Sequence, residues 1–161
     1  MNAASTKREL EAYQYTFFDY GYDIVRELGR GAFGVTLEAI HQSSGQRVAL
    51  KLVPRGARID VKVKREVKNQ LCYDPPVEHP NIVKMYRVFV TPKSLVMVLE
   101  FCGGGDLFEG LVSKVWPEDD LRVMFQQVVH AIDYLHSVGI SHRDLKLENT
   151  LLMGKDSNVV K

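Results

Sequence analysis

The sequence predicts an α+β fold: a five-stranded antiparallel β lobe that carries one helix, followed by the first, incomplete part of a helical lobe. Three observations predict it. Short apolar runs with glycine-bearing turns fill the first half, apolar positions at helical spacing fill the second, and a glycine-rich connector at Gly103 to Gly105 separates them.

Residues 1–20 stand apart, polar at first and then aromatic at Tyr13, Tyr15, Phe17, Phe18 and Tyr20. They form either an extended segment packed on the domain or a partner-binding tail; packing is preferred because aromatic side chains seldom stay exposed. Strands are expected over Tyr22 to Leu28, Val35 to Ile40 and Arg47 to Val53, an antiparallel start. Asp60 caps a helix to about Leu71, whose buried face is Val63, Val67 and Leu71. Two further strands follow, near Val83 to Val90 and Leu95 to Phe101. After Trp116 comes the clearest helix. Pro117 starts it, Glu118, Asp119 and Asp120 suit the positive end of its dipole, and Gly139 ends it. Its expected buried face is Leu121, Phe125, Val128, Ile132 and Leu135. The domain division expected is 1–20 as an extension, 21–102 as the first lobe, and 103–161 as the end of a hinge with a truncated second lobe.

Composition narrows the function classes. The 161 residues are 45% hydrophobic, enough for a core, and the formal net charge of +1 argues against binding nucleic acid by bulk electrostatics. Cys72 and Cys102 are widely spaced and lack metal-ligand patterning, so a reducing compartment and two buried thiols are expected. The longest apolar run, Leu95 to Leu99, is far too short to span a bilayer, and no secretory signal precedes the strands. A soluble protein of the cytoplasm, the nucleus or both is expected, with no membrane partner.

The chemistry is concentrated in His142 to Asn149, HRDLKLEN. Asp144 is placed to accept a hydroxyl proton, Lys146 to neutralise charge on a moving phosphoryl group, and Asn149 to offer its amide oxygen to magnesium. Upstream, Gly29, Gly31 and Gly34 (GRGAFG) lie in the first hairpin, where missing side chains let backbone amides close over phosphates. The same spacing serves dinucleotide folds, but there a helix follows the third glycine and an acidic residue comes about twenty positions later. Here a strand follows, and Lys51 ends the run VALK. An ammonium on an apolar strand needs an anion, and Glu66 is the best candidate. A Lys51 to Glu66 pair at ~4 Å gains ~4 kcal/mol at an effective dielectric of ~20, before desolvation. Read alone, Glu66 is better taken as a solvated helix carboxylate, and Lys62, Lys64, Arg65 and Lys68 on the same helix are a solvated face.

In this order, these motifs resemble the front part of a eukaryotic-type protein kinase from Tyr22 to Lys161, and Lys146 two places after Asp144 resembles the serine/threonine branch. The resemblance implies ATP and Mg2+ as cofactors and a protein Ser/Thr hydroxyl as acceptor. It implies that Leu28, Gly29, Arg30, Gly31 and Gly34 cover the phosphates, Ala49 presses on adenine, and Lys51 with Glu66 holds the phosphates. It further implies that Leu99 is the gatekeeper, Glu100 and Cys102 lend backbone groups to adenine, Asp106 contacts ribose, and Asp144, Lys146 and Asn149 are catalytic, with Asn149 also a metal ligand. Thr36 stands where the family usually has an adenine-roofing valine. Pro54 to Gly56, Ile59 with Asp60, Thr91 with Pro92, and LKLENTLL at Leu145 to Leu152 look most like the plant osmotic-stress and abscisic-acid kinases of the sucrose-non-fermenting-related group.

The given sequence ends at Lys161 without a DFG motif. By resemblance it therefore lacks the principal magnesium aspartate, the activation loop and the helices that follow, and the expectation is that it does not turn over alone. The helix at 117–138 would then leave roughly 7 to 15 kcal/mol of apolar burial unrealised, against a typical domain stability of about 5 to 15 kcal/mol. Two functions stay open: a serine/threonine kinase represented by its front part, or a non-catalytic nucleotide-binding or decoy module that engages kinase partners. Oligomeric state is left open.

Overall fold

The computed structural model describes residues 3–31, 34–55 and 78–161. The expected helix from Asp60 to Leu71, with Glu66, and the residue Cys72 lie outside the described residues. The described chain forms two compact units, one of residues 3–31, 34–55 and 85–101 and the other of residues 78–84 and 102–161.

The first unit is an antiparallel sheet of five strands, β1 (Tyr22–Gly31), β2 (Gly34–His41), β3 (Arg47–Pro54), β4 (Met85–Val90) and β5 (Ser94–Glu100), ordered β1-β2-β3-β5-β4. The strands follow the short apolar runs in the sequence. Val35, Leu37 and Ala39 of β2, Val48, Leu50 and Leu52 of β3, and Val96 and Val98 of β5 form one buried cluster. Side chains one residue out of phase lie on the other face, where the register aligns Thr36 with Lys51 and Glu38 with Ala49. Thr91 and Ser94 close the β4–β5 turn, the Thr91 amide donating to the Ser94 carbonyl at 2.8 Å and the Ser94 amide to Thr91 Oγ1 at 3.0 Å.

The N-terminal residues are helical, which corrects the extended segment expected from the sequence. Helix α1 (Ala3–Phe18) lies on the apolar face of the sheet: Phe17 is 1% exposed within the cluster, and Leu10, Tyr13 and Tyr20 pack against it. Phe17, Tyr20 and Tyr22 all gather on Phe89, with Tyr20 stacked at 4.8 Å between centroids. Burying one such ring is worth ~1.5–3 kcal/mol, which favours the docked helix over a free tail. Only part of the aromatic set is used, since Tyr15 and Phe18 remain 83% and 57% exposed.

In the second unit, α2 (Leu107–Ser113) and α3 (Glu118–Ser137) pack with the segment that follows them. Pro117 precedes α3, its first turn holds Glu118, Asp119 and Asp120, and Gly139 at φ 75° lets the Ile140 amide reach back to the Leu135 carbonyl at 2.8 Å. The expected buried face is only half right. Met124, Ala131 and Leu135 are buried and Val128 packs beside Leu107, Trp116, Leu152 and Val160, but Phe125 is 70% and Leu121 38% exposed. A helix that is apolar on more than one side buries the side that has neighbours, and among the described residues those lie only toward Met124 and Val128. No described helix is long and apolar enough to cross a membrane.

Candidate active site

The β1–β2 hairpin brings the predicted glycines together. Gly31 faces Gly34, Arg30 faces Val35 and Gly29 faces Thr36. Gly34 is irreplaceable on steric grounds: its φ is 135°, and a Cβ there would sit 1.8 Å from the Leu52 carbonyl oxygen. At Gly29 and Gly31 a Cβ would meet nothing within 4 Å, so these two leave open space over the hairpin. Leu28 is half-buried, and Arg30 is exposed and ion-paired to Glu27 at 2.8 Å and to Glu9 of α1 at 2.7 Å. The hydrogen bond that Arg30 donates to Glu27, then the charges of Glu27 and Glu9, push the guanidinium above its ordinary pKa.

Lys51 and Ala49 stand two residues apart on β3, so they share a face with Thr36 and Glu38. Ala49 is buried and faces Leu99 on β5, and Lys51 faces Met97. Glu100 closes β5 opposite Val48. Glu38 had no predicted role, yet it is fully buried and accepts from Arg26 Nε at 2.8 Å and Arg47 Nε at 2.9 Å, with a second contact from Arg47 Nη2. Arg47 in turn lies over the Phe101 ring at 4.6 Å. The signal for Glu38 was a charged residue between the two buried positions Leu37 and Ala39 of an inner strand.

The second unit assembles the other predicted set. Asn149 Nδ2 donates to the Asp144 carbonyl at 2.7 Å and to Asp144 Oδ2 at 3.0 Å. Two local features make that reach possible. Arg143 sits at φ 64°, the one non-glycine in the left-handed region among the described residues, and a 3-10 turn over Leu147–Asn149 closes with the Asn149 amide on the Lys146 carbonyl at 3.0 Å. Such strain persists where surrounding contacts enforce it. Here the Thr150 hydroxyl binds the Lys146 carbonyl at 3.2 Å and the Leu107 amide binds the Thr150 carbonyl at 2.7 Å. Asp144, Lys146 and Asn149 are all exposed.

The connector pairs with the chain after this loop: the Gly103 and Gly104 amides donate to Met153 and Leu152 carbonyls at 3.1 and 2.9 Å. A Cβ on Gly104 would lie 2.6 Å from the Gly154 oxygen, which accounts for glycine there. Asp106 caps α2, its Oδ1 accepting from the Glu109 amide at 2.9 Å, so one carboxylate oxygen is committed to the fold. Cys102 is half-buried rather than buried, with Sγ 3.8 Å from Met153 Sδ. The Leu151 and Lys161 backbones exchange two hydrogen bonds of 2.8 Å, a short antiparallel pairing.

No group of three or more His, Cys, Asp or Glu side chains that could hold a metal occurs among the described residues. The Asn149 amide nitrogen is committed to Asp144, which leaves its oxygen as one ligand suited to a hard cation. Magnesium needs further oxygens than these residues offer, so the donor set fits one corner of its octahedron.

A protein kinase domain profile matches residues 22–161. The chain belongs to the protein kinase family. Among its kinase relatives, serine/threonine-protein kinase SAPK9 of Oryza sativa subsp. japonica is 43% identical over 134 residues, 83% of this chain and 36% of the relative. Serine/threonine-protein kinase SRK2F of Arabidopsis thaliana is 43% identical over 141 residues, 87% of this chain and 39% of the relative. Serine/threonine-protein kinase SRK2A of Physcomitrium patens is 42% identical over 134 residues, 83% of this chain and 37% of the relative. The plant branch anticipated from the finer sequence features is thus borne out. This kinase chain spans about two fifths of the length of the curated relatives it matches. Its family uses ATP and Mg2+ to phosphorylate proteins.

Proposed function

We propose that the chain is part of an ATP-dependent serine/threonine protein kinase of the osmotic-stress and abscisic-acid group, and that its described residues divide the work between nucleotide and acceptor. The observation that carries the reading is the double hydrogen bond from Asn149 to Asp144, because it orients one carboxylate on a loop held in strained geometry. Asp144 accepts the proton of a Ser or Thr hydroxyl as its oxygen attacks the terminal phosphorus of ATP, and Lys146 balances negative charge on that phosphoryl group. Lys51 and the amides around Gly29, Gly31 and Gly34 hold the phosphates, with Ala49 against the base. Glu66 is the proposed counter-ion of Lys51, Glu100 and Cys102 the backbone contacts to adenine, and Asp106 the ribose contact through the oxygen that its cap leaves available. Asn149 contributes one oxygen to magnesium, which when bound neutralises phosphate charge.

The test starts with cDNA sequenced through the codon for Lys161, followed by phosphate transfer from ATP to Ser- and Thr-containing peptides by the complete product. Transfer that Asp144→Asn lowers by ~10²–10⁴-fold supports the assignment. A transcript that stops there, together with nucleotide binding and no transfer, favours the non-catalytic nucleotide-binding module.

A further inference from the structure

Helix α1 reaches the glycine hairpin through one ion pair. Glu9 Oε2 lies 2.7 Å from Arg30 Nη2, and Arg30 is also gripped by Glu27 Oε1 at 3.1 Å and Oε2 at 2.8 Å. Arg30 stands between Gly29 and Gly31, two positions that a Cβ would leave in open space. The helix end of this link is itself anchored. Gln14 Oε1 accepts from the Ile24 amide at 2.7 Å, Gln14 Nε2 donates to Asp23 at 3.2 Å, and Phe17 is buried in the sheet cluster one turn further on. The Arg30 side chain, set between two glycines of the hairpin, is therefore tied to a docked helix.

We propose that Glu9 is a positioning residue for the nucleotide: through Arg30 it holds the glycine hairpin against α1 and thereby raises affinity for a nucleoside triphosphate. The inference rests on the phosphate-holding reading of this hairpin. Two consequences follow physically. With Glu9 and Glu27 on one guanidinium, Arg30 is held from two sides, and the tie restricts backbone freedom of the glycines beside it that nucleotide binding must otherwise remove. Both partners are part-exposed, so breaking the tie makes little difference to global stability.

The experiment is a double-mutant cycle in the 161-residue chain with Glu9→Gln, Arg30→Gln and both, and with Glu11→Gln as an exposed control on the same helix. Amide hydrogen exchange is read over residues 27–36 without nucleotide, and binding of a fluorescent ATP analogue with Mg2+ is titrated in parallel. Glu9→Gln is expected to speed exchange in that segment and to weaken binding by roughly two- to fivefold. Neither change should occur when Arg30 is already Gln, and Glu11→Gln should change nothing. Unaltered exchange in Glu9→Gln, or equal effects in both backgrounds, overturns the proposal. If the wild-type chain binds no analogue while Glu9→Gln still speeds exchange, the tie stands, but the nucleotide reading and the role in affinity both fall.

Discussion

Asn149 holds Asp144 at two points, the carbonyl oxygen at 2.7 Å and the carboxylate Oδ2 at 3.0 Å, with one amide nitrogen. Asn149→Ala removes both hydrogen bonds and, on the proposed reading, the oxygen offered to magnesium. If the proposed transfer is found, kcat for a Ser/Thr peptide should fall by about 10²-fold with peptide KM changed far less, because orientation and charge neutralisation act on the chemical step. An equal loss through KM alone would contradict the positioning of Asp144.

Gly34 and Gly29 carry the same residue type for different reasons. Gly34→Ala collides with the Leu52 carbonyl at a positive φ and should cost more than about 2 kcal/mol in chemical denaturation. Gly29→Ala points into open space and should shift the midpoint little, while still affecting nucleotide binding if the open surface is what the phosphates use.

Phe17 and Tyr15 separate docking from mere presence of the N-terminal helix. Phe17→Ala empties a site that is 1% exposed and should destabilise the first unit by about 3–5 kcal/mol. Tyr15→Ala, at 83% exposure, should stay within about 0.5 kcal/mol. Denaturation of the two variants side by side distinguishes a structural helix from a loosely held tail.

His79 gives stability a pH dependence. Burial, then the charges of His130 and Lys161, hold its pKa below the ordinary 6.5, and the neutral ring accepts from the Asn81 amide at 3.1 Å while stacking on Tyr134. Below pH 6.5 the unfolded chain takes up this proton more readily than the folded one. Stability is therefore full above that pH and declines as pH falls toward the folded-state pKa. Thermal melts should drop between pH 7 and pH 5, and His79→Asn should flatten that slope.

Leu121, Phe125 and Val129 follow one another every four residues on α3 and are 38%, 70% and 46% exposed. This stripe should bind a hydrophobic dye and promote association of the 161-residue chain. Phe125→Gln should reduce dye fluorescence without lowering the melting temperature. A monomer with no dye binding would contradict the exposed stripe.

The five strands were legible as short runs rich in apolar and β-branched residues, alternating in β2 and continuous in β5, that glycines or short polar turns interrupt. The glycine, lysine and HRD motifs were legible because their chemistry constrains residue type at fixed spacing. Glu38 was missed as a paired buried carboxylate because its partners, Arg26 and Arg47, come from the two neighbouring strands and meet it only through sheet register. The face of α3 was half missed because Phe125 and Met124 are both apolar and adjacent, so periodicity could not choose between them.

Sequence alone determined the order of the strands along the chain and the start and stop of α3, and it nominated the residues proposed to handle phosphate and proton, since these depend on local backbone chemistry and short spacing. Tertiary structure decided that residues 3–18 are a helix on the apolar face of the sheet, that Glu9 meets Arg30, and that Asp106 spends one oxygen on a helix cap. The physical reason is that a local pattern specifies which surfaces are apolar or charged, whereas the partner each one takes is settled only by what the folded chain brings beside it.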